Sequence, residues 1–276
     1  KGELEQAADT LRICINIWGR QSGTDAVNEL VRAILQDEPL RMRRLAGIFH
    51  IDIASIHELW LFCCTDAGKV KKHMKEYCEL MRQYADTVFG AVFEGMPVMC
   101  LSTPHSLRET EKVMVGMIAD MRAVWPDAVI VRCCGLNNTT DCRKAYLTVL
   151  DALEDVRNIF PDRCLVLQGE LEFAAECRKL IDGGEDAVMR SLAPLTALKS
   201  DSESGDLLET VCTYLLDCDG SVTKTAGKLF LHRNTIKYRL QRITDMLGYH
   251  PAKMPEMMGL YRSAAVYRLL VASKKT

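Results

Sequence analysis

The sequence predicts an α+β fold in two parts: a mainly antiparallel sheet with packed helices, followed by an all-α helix-turn-helix domain. Three observations carry this. Between residues 40 and 195, short apolar runs alternate with amphipathic stretches. Residues 199–205, KSDSESG, are polar, small and without apolar periodicity, as a linker would be. Beyond them only helical spacing recurs, including two short helices joined by a tight turn over 221–248. The 276 residues, 48% apolar and 26% charged, describe an ordinary globular chain long enough for two domains.

In chain order, residues 1–20 alternate apolar and charged positions in a helical manner, with a break around 19–24 and a second helix over 25–37. Residues 1–39 are therefore expected to be an N-terminal helical segment, the remainder of a linker or sensor region. The chain opens at Lys1 rather than methionine, so a longer protein is expected. The α+β part is placed at 40–198. It begins with a helix over 41–49, a buried strand over 56–64 and a helix over 69–87. Strands over 88–93 and 96–101 flank the turn Glu94-Gly95, with Pro97 just after it, where its missing N–H matters least. Then come a helix over 106–125 ended by Pro126, a strand over 129–134, and a helix over 140–160 capped by Thr139 or Thr140 and closed by Pro161. A strand over 164–168 and a helix over 170–181 complete it. Strand, helix, strand, strand, helix, strand, helix, strand predicts a mainly antiparallel sheet with helices on it.

Composition excludes several classes. No run of about 18 apolar residues exists, so no membrane span is expected. No basic-then-apolar leader is seen at Lys1, and a cytoplasmic setting is expected. Twelve cysteines show no Cys-x-x-Cys, and the six histidines are scattered. The cysteines are read as small buried hydrophobes in a reducing compartment, with no metal site. There is no Gly-x-Ser-x-Gly elbow and no glycine-rich phosphate loop after a strand. Gly183-Gly184-Glu185-Asp186 follows one helix and opens another, and Asp151, Glu154 and Asp155 read as a solvated helix face. No catalytic residue and no cofactor are assigned.

The net charge of −2 hides an asymmetry. Residues 206–276, the helix-turn-helix domain, hold 11 Lys/Arg against 6 Asp/Glu, while the rest holds 24 against 31. An acidic body with a basic C-terminal module suits contact with nucleic acid at one end. Within that module Val222, Ala226 and Leu229 form an apolar stripe behind Ser221, a fitting N-cap. Leu231 falls in the turn, Ile236, Leu240, Ile243 and Leu247 form the buried face of the second helix, and Gly248 stops it. The opposite face offers side chains that can meet DNA. Arg233, Asn234, Thr235 and Lys237 in the first turns are placed to read bases, with Tyr238 able to reach either bases or phosphates. Arg239, Arg242, Lys224 and Lys228 are better placed for phosphates, which fix register without reading sequence. A closing helix is expected over 254–270.

The run LFLHRNTIKYRLQRITDMLG, residues 229–248, resembles the C-terminal helix-turn-helix of the PucR/CdaR family of bacterial transcriptional regulators. The core that carries the likeness is His232, Arg233, Asn234, Thr235, Tyr238, Arg239 and Leu240, and residues 207–221 resemble the helix before that motif. The likeness covers roughly the last 70 residues. It implies sequence-specific binding of double-stranded DNA and control of transcription, and since family members respond to diverse metabolites a small-molecule effector is a possible partner. A homodimer is expected because one short helix-turn-helix offers little contact and two-fold pairing doubles the site. By element order and position, residues 40–198 resemble the degenerate, cyclase-like GGDEF-like domain that precedes this motif in the family. An active cyclase of that fold needs a Gly-Gly-Asp/Glu-Glu-Phe hairpin. Here the hairpin reads Phe93-Glu94-Gly95-Met96-Pro97, with one glycine and no following acidic pair, and no carboxylate lies between Leu59 and Cys64. The domain is expected to be non-catalytic, used for dimerisation or signal relay. The alternatives are a nucleotide-binding cyclase-like protein and a protein-interaction scaffold.

Overall fold

The computed structural model describes residues 23–65, 67–200 and 204–274, so the helix expected over 1–20 lies outside the described residues. The chain divides into two compact units. One runs up to Leu150 and includes Cys164–Gln168; the other comprises Asp151–Arg163 and everything from Gly169 onward. No helix of the described residues is long and apolar enough to cross a membrane.

The first unit opens with α1 (Gly23–Leu35) and α2 (Pro39–Phe49). Then follow β1 (Glu58–Cys63), α3 (Ala67–Met81), β2 (Val88–Phe93), β3 (Met96–Leu101), α4 (Leu107–Val124), β4 (Val129–Cys134), α5 (Thr139–Ile159) and β5 (Leu165–Leu167). The strands lie in the order β2-β3-β1-β4-β5, and of the neighbouring pairs only β4–β5 is parallel. The expected mainly antiparallel sheet is present, in a split βαβ arrangement. All six residues of β1 are buried, so the central strand is covered on both faces and shows no apolar-polar alternation. Below it, Trp60 and Phe62 pack with Met74 and Met81 of α3, Met114 of α4 and Trp125 just after α4.

Local chemistry sets the element ends. Glu94 and Gly95 take φ of 48° and 84°, the two left-handed positions of a tight hairpin turn, with Phe93 opposite Met96. Pro97 faces Val92, whose N–H points away from β3 to Asn28 Oδ1 at 3.3 Å. The missing N–H of the proline therefore breaks no ladder bond. Ser106 caps α4, its Oγ accepting from the Glu109 N–H at 3.4 Å. The cap of α5 is Asn138, not a threonine: its Oδ1 accepts from the Asp141 N–H at 3.0 Å. Helix α3 stops at Met81 rather than 87, where Tyr84 and Ala85 both turn back to bond the Met81 carbonyl.

One buried charge pair crosses the sheet. Glu58 Oε2 accepts from Trp60 Nε1 at 2.8 Å and from Arg132 Nε at 2.9 Å, and Oε1 accepts from Arg132 Nη2 at 2.5 Å. The carboxylate beside it holds the Arg132 guanidinium above its usual pKa.

The second unit is helical. After the end of α5 come α6 (Gln168–Asp182), α7 (Glu185–Thr196), α8 (Ser204–Cys212), α9 (Val222–Lys228), α10 (Arg233–Leu247) and α11 (Glu256–Ser273). Helix α8 continues as a π-helical turn over Thr213–Asp217. Of residues 199–205, Ser200 ends a 3-10 turn and Ser204 starts α8, with 201–203 outside the described residues. Asp155 does not belong to a solvated face: it is buried and gripped by Arg178, whose Nε donates at 2.9 Å. Asp155 lies about 100° round the helix from exposed Glu154 and about 40° from exposed Asp151, enough to turn it inward. Phe160, Phe173 and Tyr261 form an aromatic cluster with centroids 5.3–6.5 Å apart.

Burial also decides the thiols. It pushes Cys78 up to about 11, and Cys142, Cys177 and Cys212 up to about 12. Thiols so raised are protonated at neutral pH and poor nucleophiles.

Candidate nucleic-acid interface

Helices α9 and α10 form the motif, and each end is fixed by a named group. Ser221 Oγ accepts from the Lys224 N–H at 3.4 Å, and Thr225 Oγ1 donates to the Ser221 carbonyl at 2.8 Å. At the other end, the Leu231 N–H reaches back to the Ala226 carbonyl at 3.0 Å across Phe230, whose φ is 54°. This is a Schellman-type stop with a left-handed residue after the last helical position. His232 then caps α10, its Nδ1 accepting from the Asn234 N–H at 3.2 Å, which places the ring proton on Nε2. Gly248, at φ 79°, closes α10.

Ile236, Leu240 and Ile243 are buried against the rest of the unit, as their spacing requires; Leu247, expected with them, is only half-buried. Arg233, Asn234, Lys237 and Tyr238 are exposed, and Thr235 is half-buried. Arg242 lies over the Tyr238 ring, 5.9 Å from its centroid. Gln241 donates to Asp245 at 2.8 Å, so the later turns of α10 carry an exposed carboxylate where the first carries cations. A polyanion therefore meets a favourable charge at the N-terminal end of α10 and an unfavourable one beyond it.

Among the described residues Arg233 and Lys237 make no ion pair. The side chains expected at phosphates differ. Arg239 is held by Asp206, with Nη1 also donating to Thr210 Oγ1 at 3.2 Å, and its side chain is only 13% exposed. Lys228 bonds Asp162 and sits 3.2 Å from Asp217. Burial works to lower the Lys228 pKa, but the two carboxylates outweigh it and raise it. Lys224 reaches Asp219 at 3.1 Å.

Sequence reasoning missed these acidic partners. The acidic residues could be counted, but Asp162 lies 66 positions from Lys228 and nothing local announces the pairing. Asp162→Asn should leave Lys228 with Asp217 alone and tighten binding to any DNA by a factor of about two to five, the worth of one exposed ion pair. Titration at fixed salt checks this, and unchanged affinity would show that the pair does not compete with phosphate. Among the described residues no three His, Cys, Asp or Glu side chains converge as metal donors.

Comparison with known proteins places a match on this motif. Residues 207–266 match the family described as PucR C-terminal helix-turn-helix domain. Uncharacterised proteins of Mycobacterium bovis and Mycobacterium tuberculosis are 38% identical to the chain over 91 residues, covering 31% of this chain and 22% of each relative. The chain thus matches under a quarter of those relatives' length. A regulator of polyketide synthase expression from Bifidobacterium adolescentis, solved by crystallography, overlays 91% of this chain and 96% of its own at 16% identity. The TM-score of that overlay is 0.39.

Proposed function

We propose that this chain is a bacterial, cytoplasmic transcriptional regulator of the PucR/CdaR type that binds duplex DNA sequence-specifically through α10. The observation that carries the reading is the coincidence of the 207–266 match with a helix whose first turns leave Arg233, Asn234 and Lys237 exposed and, for the two cations, unspent on ion pairs. Arginine can bond guanine O6 and N7 with both arms, and asparagine can do the same for adenine. Thr235 and Tyr238 follow in the same turns, and Arg242, Lys224, Lys228, Arg239 and His232 are the further residues that would meet DNA. Those already engaged by carboxylates exchange that partner for phosphate at a cost.

The protein acts as a homodimer, since one short helix-turn-helix offers few contacts and two-fold pairing doubles the site. The sheet unit is a GGDEF-like, non-catalytic domain used for dimerisation or signal relay. A small-molecule effector has a place to bind there: a cleft of about 350 Å³ between α1, α3 and β2, lined by Val27, Met74, Cys78, Arg82 and Phe89.

The test is selection of bound sequences from a random duplex library, with Arg233→Ala and Lys228→Ala run in parallel. A motif with two-fold symmetry should emerge. Arg233→Ala should cost about 1–3 kcal/mol and relax preference at one base, while Lys228→Ala weakens all sequences about equally. Equal losses on selected and scrambled DNA for Arg233→Ala would sink the assignment of a base to that residue. No enrichment at all would sink the regulatory reading.

A further inference from the structure

We infer that Phe230 is a base-contacting residue, its ring meeting the C5-methyl of a thymine in the major groove beside Arg233. The inference rests on the regulatory reading above and deepens it.

Phe230 is 94% exposed, more than any other large apolar side chain among the described residues. It sits at the left-handed position that ends α9, with φ 54°. Glycine takes that position at little cost, because it has no Cβ to clash with the carbonyl that follows; a phenylalanine there is strained. The stop itself is made by backbone, through the Leu231 N–H on the Ala226 carbonyl, and needs no ring. The side chain thus contributes no burial to the fold and strains the backbone that carries it. Strain of this kind collects where a side chain is held out for a partner.

Its location says which partner. Phe230 stands two residues before the cap His232 and three before Arg233, at the end of α10 where cations and amides are exposed. An apolar docking site for a protein needs a patch of hundreds of Å². Here Leu229 and Leu231, which flank it, are half-buried, and Lys228, His232 and Arg233 are polar, so the ring is the one exposed large apolar side chain of this turn. The major groove offers one apolar group per A·T pair, the thymine methyl, and a lone phenyl ring is the size to cover it.

The experiment uses the full chain and the duplex enriched from the random library. Each thymine is replaced in turn by deoxyuridine, which removes the methyl and nothing else. Wild-type protein should lose roughly threefold to fivefold in affinity at one position per half-site, the worth of one buried methyl. Phe230→Gly should bind the parent duplex more weakly and show no loss at that position. Its melting temperature should be unchanged or higher, because glycine relieves the left-handed strain. Arg233→Ala should keep the deoxyuridine effect. Identical profiles for wild type and Phe230→Gly, or a profile with no sensitive thymine, overturn the assignment while leaving the regulatory reading in place. Failure to enrich any duplex overturns both.

Discussion

Arg132→Ala should lose about 3–5 kcal/mol of stability, the cost of stranding one member of a buried charge pair. The two side chains are 7% and 4% exposed. Glu58 receives two bonds from the guanidinium and a third from Trp60. Truncation leaves the carboxylate inside the sheet with the indole N–H alone, and water cannot reach it without opening the core around Trp60 and Phe62. Urea unfolding followed by tryptophan fluorescence checks this, since Trp60 and Trp125 both lie in that core. Replacing both partners together, Glu58→Leu with Arg132→Met, should cost far less than Arg132→Ala, because it removes the stranded charge rather than creating it. A double variant as unstable as the single one would mean that packing, not charge, dominates the site.

Arg268→Ala should have the next largest effect, about 2–4 kcal/mol, by the same reasoning with one mitigation. Its guanidinium grips Asp217 with both arms, at 2.7 and 2.6 Å, and donates to the Ile159 carbonyl at 2.6 Å. It thereby ties α11 to the π-helical turn that leads into the motif and to the end of α5. Burial alone would lower the Arg268 pKa, and Asp217 more than restores it. Asp217 is 5% exposed, but Lys228 remains beside it after truncation, which softens the loss. Arg268→Lys should fall between, keeping the charge but not the two-armed geometry. Thermal unfolding reads all three proteins, and a shift under 0.5 kcal/mol for Arg268→Ala would contradict this account.

Much of this architecture was legible in the sequence because its signals are local. Strands 88–93, 96–101 and 129–134 match their apolar runs residue for residue, Ser221 opens a helix with its own hydroxyl, and Gly248 closes one because it has no Cβ. The motif was legible for the same reason: Ile236, Leu240 and Ile243 declare the inner face, and the outer face follows by subtraction. Long-range electrostatics was not. Glu58 and Arg132 stand 74 positions apart, Arg239 and Asp206 33, and only pairing in space makes partners of them. Phe230 escaped for a different reason. A phenylalanine between two leucines reads as core, and nothing in the residue type betrays a left-handed backbone that turns it to solvent.

The bond from Val92 to Asn28 has a bearing on how the molecule behaves in a crowd. The outermost strand of a sheet ordinarily shows a row of unmatched N–H and C=O groups, a template on which a strand from another molecule can grow. Here β2 is that strand, and α1 packs along it with Asn28 filling the Val92 position. At the far side β5 is only three residues long, too short to seed much pairing. The sheet is thus closed to growth by a helix on one flank and by brevity on the other, a guard against aggregation built from elements that have no part in reading DNA.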